Sequence, residues 1–188
     1  MDRAALLHPV QPRHDLDFYA TPSWCADIGA VIATPSGVST VLDPCAGDGA
    51  LLDAIRRRNP NLTALGIELD PIRAAACGAT VGDALSAEWN HDWPTADCVL
   101  MNPPFNAWQP FVDRAMSRDY WRVVVLLRMG ALAGQKRREW WRRIADSHGV
   151  RVHILSRRPS FTGGGTDGCD YCWVSISRHM HEEGIRWV

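Results

Sequence analysis

The apolar run at residues 38–42 stops in Asp43-Pro44-Cys45-Ala46-Gly47-Asp48-Gly49, and residues 50–58 then carry Leu51, Leu52 and Ile55 at helical spacing. That succession leaves few folds open. The run has the length of one buried strand, and Pro44, which lacks an N–H, cannot continue a sheet ladder. Gly47 and Gly49 let the backbone turn tightly and approach a ligand closely. Residues 50–58 form the following helix, which ends near Asn59-Pro60. A strand, a glycine loop and a helix make the first half of a parallel crossover unit. A second apolar run at 62–67 completes it and ends in Glu68, 25 residues after Asp43. Two glycines in a loop are a weak signal by themselves. An acid at that offset is placed to accept both hydroxyls of a ribose, or else is an ordinary strand-end charge.

The alternation continues along the chain. Asp70-Pro71 reads as a capped helix start running to about 77, followed by a short strand at 80–81 that meets Gly82-Asp83. Strands at 96–101, 122–127, 150–155 and 171–177 alternate with helices at 108–118 and 135–147. Upstream, Thr21 before Pro22 reads as the N-cap of a helix reaching about 33, with Phe18 and Tyr19 beside its positive end. Such alternation predicts an α/β, doubly wound sheet with right-handed crossovers. Residues 1–14 read as a flexible lead, 15–178 as one domain and 179–188 as a tail.

A chain of 188 residues with 46% apolar content suits one core, and the absence of a long apolar run suggests a soluble, cytoplasmic protein. The six cysteines are scattered as free thiols would be; Cys169 and Cys172, with His179 and His181, match no strong zinc spacing, so no metal is expected. Net charge is −1, yet residues 122–158 hold ten basic side chains against Glu139 and Asp146, a local excess of +8. That block can neutralise phosphates or can be a solvated helix face.

The fourth predicted strand delivers Asn102-Pro103-Pro104-Phe105. The prolines force a stiff, extended exit from the sheet. Asn102 thereby presents an amide oxygen at a strand's C-terminal end, with the flat apolar ring of Phe105 nearby. An acceptor beside a ring suits a planar amine, although a Pro-Pro turn leading to a core phenylalanine has the same letters.

Taken in order, residues 17–22, Asp43 to Gly49, Glu68, Asp83 and Asn102 to Phe105 resemble the S-adenosylmethionine-dependent DNA adenine-N6 methyltransferases, in the γ arrangement, over nearly the whole chain. The resemblance implies a seven-stranded Rossmann-like sheet, mostly parallel with an antiparallel last strand. It implies that Phe18, Tyr19, Thr21, Asp43, Cys45, Ala46, Gly47 and Gly49 surround the methionine part of the cofactor. Glu68 would take the ribose hydroxyls and Asp83 the adenine amine. The Asn102 oxygen and the Pro103 carbonyl would accept the target amine's two N–H bonds, with Pro104 stiffening the turn and Phe105 stacking on an extruded base. Related enzymes acting on an adenine or guanine amine in RNA or on a protein glutamine amide, and a non-catalytic partner subunit, remain alternatives. Many family members carry a separate target-recognition domain, for which the connections here are too short. The segment from Arg128 to Arg143, with Lys136, Arg137 and Arg138, and the loop from Arg157 to Gly168, with Arg158 and Phe161, are therefore the expected contacts to DNA, with RNA as the other candidate. Weak sequence preference, or specificity from self-association or a partner, follows.

Overall fold

A computed structural model describes residues 19–87, 93–161, 167–178 and 184–188. The chain runs α1 (Ser23–Ala33), β1 (Thr40–Asp43), α2 (Ala50–Arg58), β2 (Thr63–Glu68), α3 (Pro71–Cys77), β3 (Thr80–Val81) and β4 (Cys98–Met101). It continues through α4 (Trp108–Met116), β5 (Arg122–Arg128), a 3-10 turn at Met129–Leu132, α5 (Gln135–Ala145), β6 (Gly149–Ile154), β7 (Tyr171–Ser177) and β8 (Gly184–Trp187). Eight strands form one sheet in the order β3-β2-β1-β4-β5-β7-β6-β8. All are parallel except β7, which runs antiparallel to both β5 and β6.

The sheet is buried on both faces because β4 and residues 123–127 of β5 are apolar at every position, and period-2 alternation then divides them between two layers. Val123, Val125 and Leu127 of β5 and Val99 and Met101 of β4 face Trp108, Phe111 and Val112 of α4 and Ile144 of α5. Val124, Leu126, Cys98 and Leu100 face Cys25, Ala26 and Ala30 of α1 and Leu51 and Ile55 of α2. Leu42, Leu100 and Leu126 are fully buried, each contributing about 1.5–3 kcal/mol of transfer free energy. Gly29 brings α1 close to the sheet: a Cβ there would lie 2.6 Å from the Trp173 ring. The Trp173 indole N–H donates to the Cys25 carbonyl at 3.2 Å, so α1 is fixed to β7 by packing and by a buried hydrogen bond.

Two expectations change. Thr21 does not cap α1: Pro22 holds the cap position, no side chain bonds the helix end, and the Thr21 hydroxyl is used elsewhere. Residues 184–187, read as part of a tail, form β8 beside β6, making the sheet eight-stranded and β6 an internal strand. Ile185 and Trp187 of β8 remain 60% and 71% exposed, so burial supplies little of the pattern by which a strand is read from sequence.

Candidate functional site

Parallel strands aligned by their ladders deliver their C-terminal ends to one edge of the sheet, and the order β2-β1-β4 sets Glu68, Asp43 and Asn102 side by side there. A cavity of about 750 Å³ opens at that edge. Its wall includes Tyr19, Thr21, Asp43, Cys45, Ala46, Gly47, Glu68, Asp83, Asn102, Pro104 and Phe105, eleven residues named from sequence. Phe18 lies outside the described residues. Pro103 is buried and does not line the cavity. Gly49 does not line it either, and its work is structural. Its φ of +85° suits glycine, and a Cβ on it would sit 2.4 Å from the Cys77 Cβ, so it lets the start of α2 meet the end of α3.

The glycine loop is held by Glu68. The Gly47 N–H donates to Glu68 Oε2 at 2.7 Å and the Asp70 N–H to Oε1 at 2.9 Å. Each carboxylate oxygen keeps a second lone pair, so Glu68 can brace the loop and still accept two hydroxyls. Asp70 caps α3 as the sequence predicts, accepting from the Ile72 and Arg73 N–H groups.

Asp43 is 1% exposed. Its Oδ1 accepts from the Cys45 N–H at 3.1 Å, while Oδ2 is buried without a partner among the described residues. Burial pushes its carboxyl up to about 7, with the neighbouring Glu68 and Asp48 carboxylates adding to the rise against the Cys45 hydrogen bonds. Burial, and then the Asp43 charge, hold the Cys45 thiol well above its ordinary value, so Cys45 is a neutral wall and not a nucleophile.

Asn102 is the second group with an unspent oxygen. Its Nδ2 donates to Thr21 Oγ1 at 3.0 Å and to the Tyr19 carbonyl at 3.4 Å. A carbonyl can only accept, so it determines which end of the amide faces it. Oδ1 is left buried and without a partner among the described residues. The segment before α1 therefore aims the asparagine, which is the task Thr21 performs in place of capping.

Phe105 sits among aromatic rings: Tyr19 stacks on it at 5.4 Å between centroids and 29° between planes, with Phe161 at 5.8 Å and Tyr171 at 5.6 Å. Phe161, named from sequence as a nucleic-acid contact, packs edge-on to Phe105 and does not line the cavity. The predicted basic contacts divide. Arg157 lies over the Trp24 ring at 5.2 Å, and Arg158 Nε donates to Asp170 at 2.7 Å. Arg137 is committed to the Gly130 and Ala133 carbonyls. Lys136 and Arg138 are exposed on α5, and neither lines the cavity. The sequence reading missed Leu69, Arg73, Leu85, Asn106 and Arg128 as wall residues, and Tyr171 as an aromatic neighbour. Leu69 and Asn106 directly follow Glu68 and Phe105, a positional signal that was available. Arg128 opens the basic segment expected to contact nucleic acid, and only its place at a strand end hinted that it reaches the cavity.

Cys172 packs on the α4 side of the sheet and Cys169 on the α1 side; His179 and His181 lie outside the described residues. Among the described residues no group of three or more His, Cys, Asp or Glu could hold a metal, and no helix is long and apolar enough to cross a membrane.

No protein-family model and no curated protein matches the chain. Solved structures do. The methyltransferase subunit of a type I restriction-modification system from Streptococcus thermophilus superposes with a TM-score of 0.70 at 18% identity, over 86% of this chain and 45% of that one. A proposed RNA methyltransferase from Pyrococcus horikoshii gives 0.64 at 21%, over 88% and 89%. A dimethyladenosine transferase from Plasmodium falciparum gives 0.64 at 15%, over 85% and 63%. The chain spans less than half the length of the type I subunit. At these identities the likeness establishes the fold, a Rossmann-like methyltransferase sheet.

Proposed function

We propose that this chain transfers a methyl group from S-adenosylmethionine to the N6 amine of adenine in DNA. The observation that carries the reading is the Asn102 amide, turned so that its oxygen is buried, unpaired and beside Phe105 in the wall of the same cavity as Asp43 and Glu68.

The residues present fit the cofactor. The unpartnered Asp43 Oδ2 suits its ammonium group, and the spare lone pairs of Glu68 suit the ribose hydroxyls. Asp83, whose Oδ1 is engaged by the Leu85 N–H at 2.9 Å, keeps Oδ2 for the adenine amine. Bound there, the cofactor supplies an electrophilic methyl group on a sulfonium.

The protein's part is orientation. An exocyclic amine is a poor nucleophile while its lone pair is delocalised into the ring. Asn102 Oδ1, accepting one of its N–H bonds, favours the pyramidal nitrogen whose lone pair points at the methyl carbon; the Pro103 carbonyl, the second acceptor that the resemblance implies, belongs to a residue outside the cavity wall. Asn102 would hold the amine in line for that methyl group, whose bonding electron pair would leave with sulfur. The nitrogen, now cationic, loses a proton to solvent, so no side-chain base is required beforehand. The base must leave its stack, or begin single-stranded, to reach this edge of the sheet.

Acting on RNA is the second reading, favoured by the Pyrococcus horikoshii neighbour, which this chain matches over 89% of that protein's length. Incubation with isotope-labelled S-adenosylmethionine and, separately, double-stranded DNA, single-stranded DNA and RNA, followed by mass spectrometry of the nucleosides, separates the two. Label in N6-methyldeoxyadenosine is expected; label confined to RNA moves the assignment there. Asn102→Ala should abolish nearly all transfer while cofactor still binds, whereas a non-catalytic subunit would be indifferent.

A further inference from the structure

Arg128 ends β5, the strand beside β4, and reaches back over the site. Its guanidinium carbon lies 4.2 Å from the centroid of the Phe105 ring. It is fastened there: Nε donates to the Tyr171 hydroxyl at 3.0 Å and Nη2 to Asp167 at 3.5 Å, and the Tyr171 hydroxyl itself donates to Asp167. Tyr171 is 1% exposed and anchored in β7, so the guanidinium rests on a rigid support. Arg128 also lines the cavity and retains two-fifths of its side-chain exposure, which leaves it a path outward.

A planar base stacked between the ring and the guanidinium would need the two to stand about 7 Å apart, two carbon-contact layers. They are in direct contact. The slot over Phe105 is therefore filled by a flat cation of the protein's own, and a base can take it only in exchange.

We propose that Arg128 determines substrate class by this exchange: the guanidinium occupies the face of Phe105 until a target base displaces it, and it then pairs with a phosphate of the incoming strand. This rests on the reading of the site as one that methylates a nucleobase. A polynucleotide offers the displaced guanidinium a new anion in place of Asp167, whereas a free nucleoside carries no phosphate and offers none. Arg128 thus makes stacking on Phe105 conditional on a nucleic-acid backbone and excludes small planar amines that would otherwise fit.

The test compares kcat/KM for 2′-deoxyadenosine with kcat/KM for a mixed-sequence single-stranded oligodeoxynucleotide, in the unaltered protein and in Arg128→Ala and Arg128→Met. Cofactor dissociation constants, measured calorimetrically, check that the fold and cofactor site survive. The nucleoside-to-oligonucleotide ratio should rise about tenfold or more, the scale of a partly exposed cation–π contact together with two charged hydrogen bonds. Arg128→Lys keeps a cation for the phosphate and loses the planar fork, so it should raise nucleoside use with a smaller loss on the oligonucleotide. A ratio that is unchanged or lower in the variants, with transfer to the oligonucleotide intact in the unaltered protein, overturns the exchange alone. No transfer from the unaltered protein to any nucleic acid overturns the acceptor reading and the exchange with it.

Discussion

Replacing Asp43 by asparagine tests the electrostatics of the cofactor pocket with a change of one atom. Asp43 is almost wholly enclosed, and its carboxyl is pushed up to about 7 from an ordinary 3.8. Its folded value is raised, so the neutral acid is the form the fold tolerates. The stability it allows is fully present below the unfolded value and declines as pH rises toward 7. Each pH unit costs about 1.4 kcal/mol until the folded group itself begins to ionise near 7, which sums to about 2 kcal/mol between pH 5 and pH 7. The Asp43→Asn side chain has no charge to bury. Urea unfolding of both proteins from pH 5 to pH 8 isolates the effect, since every other titrating group is common to the two. The stability of the variant relative to the unaltered protein should grow by about 2 kcal/mol between pH 5 and pH 7 and then level off. Cofactor binding should run the opposite way. An ammonium group paired with Asp43 requires the carboxylate, so the unaltered protein should lose affinity up to tenfold per unit as pH falls below 7, and the variant should bind weakly with no such slope. A stability difference that stays flat across the range would refute the argument.

The remaining predictions concern single contacts. Thr21→Val keeps the shape of the side chain and removes the acceptor 3.0 Å from Asn102 Nδ2, leaving the amide held by the Tyr19 carbonyl at 3.4 Å. With about 1–2 kcal/mol of orienting energy gone, transfer should slow by roughly five- to thirtyfold in single-turnover assays while cofactor affinity holds. Gly49→Ala combines a left-handed backbone with a Cβ 2.4 Å from that of Cys77, so melting should fall by several degrees, about 2–4 kcal/mol. Adding Cys77→Ala should not rescue it, because the clashing atom is the Cβ that alanine keeps.

Much of this arrangement follows from local chemistry. Helix α2 begins and ends where the Gly49 and Asn59 signals place it, Asp70-Pro71 starts α3, and β7 spans the predicted residues. Apolar period, glycine and proline act within a few residues, and the sheet order then carries Asp43, Glu68 and Asn102 to one edge. The same local rules misassigned Thr21, because a hydroxyl before proline resembles a cap whether or not an asparagine 81 residues away claims it. They missed β8, whose exposed side chains bury too little to set a pattern. They gave Gly49 to the cofactor, since a positive φ demanded by a ligand and one demanded by Cys77 leave the same letter.

What the sequence by itself determined was most of the elements and which polar groups stand at the strand ends, since backbone preference and hydrophobic period are properties of neighbouring residues. The tertiary structure alone decided which lone pairs remain unspent. Asn102 offers its oxygen only because Tyr19 and Thr21 take its nitrogen, and Phe105 carries a guanidinium because β5 sets Arg128 above it, contacts between residues far apart in the chain that form once the sheet has brought its strand ends together.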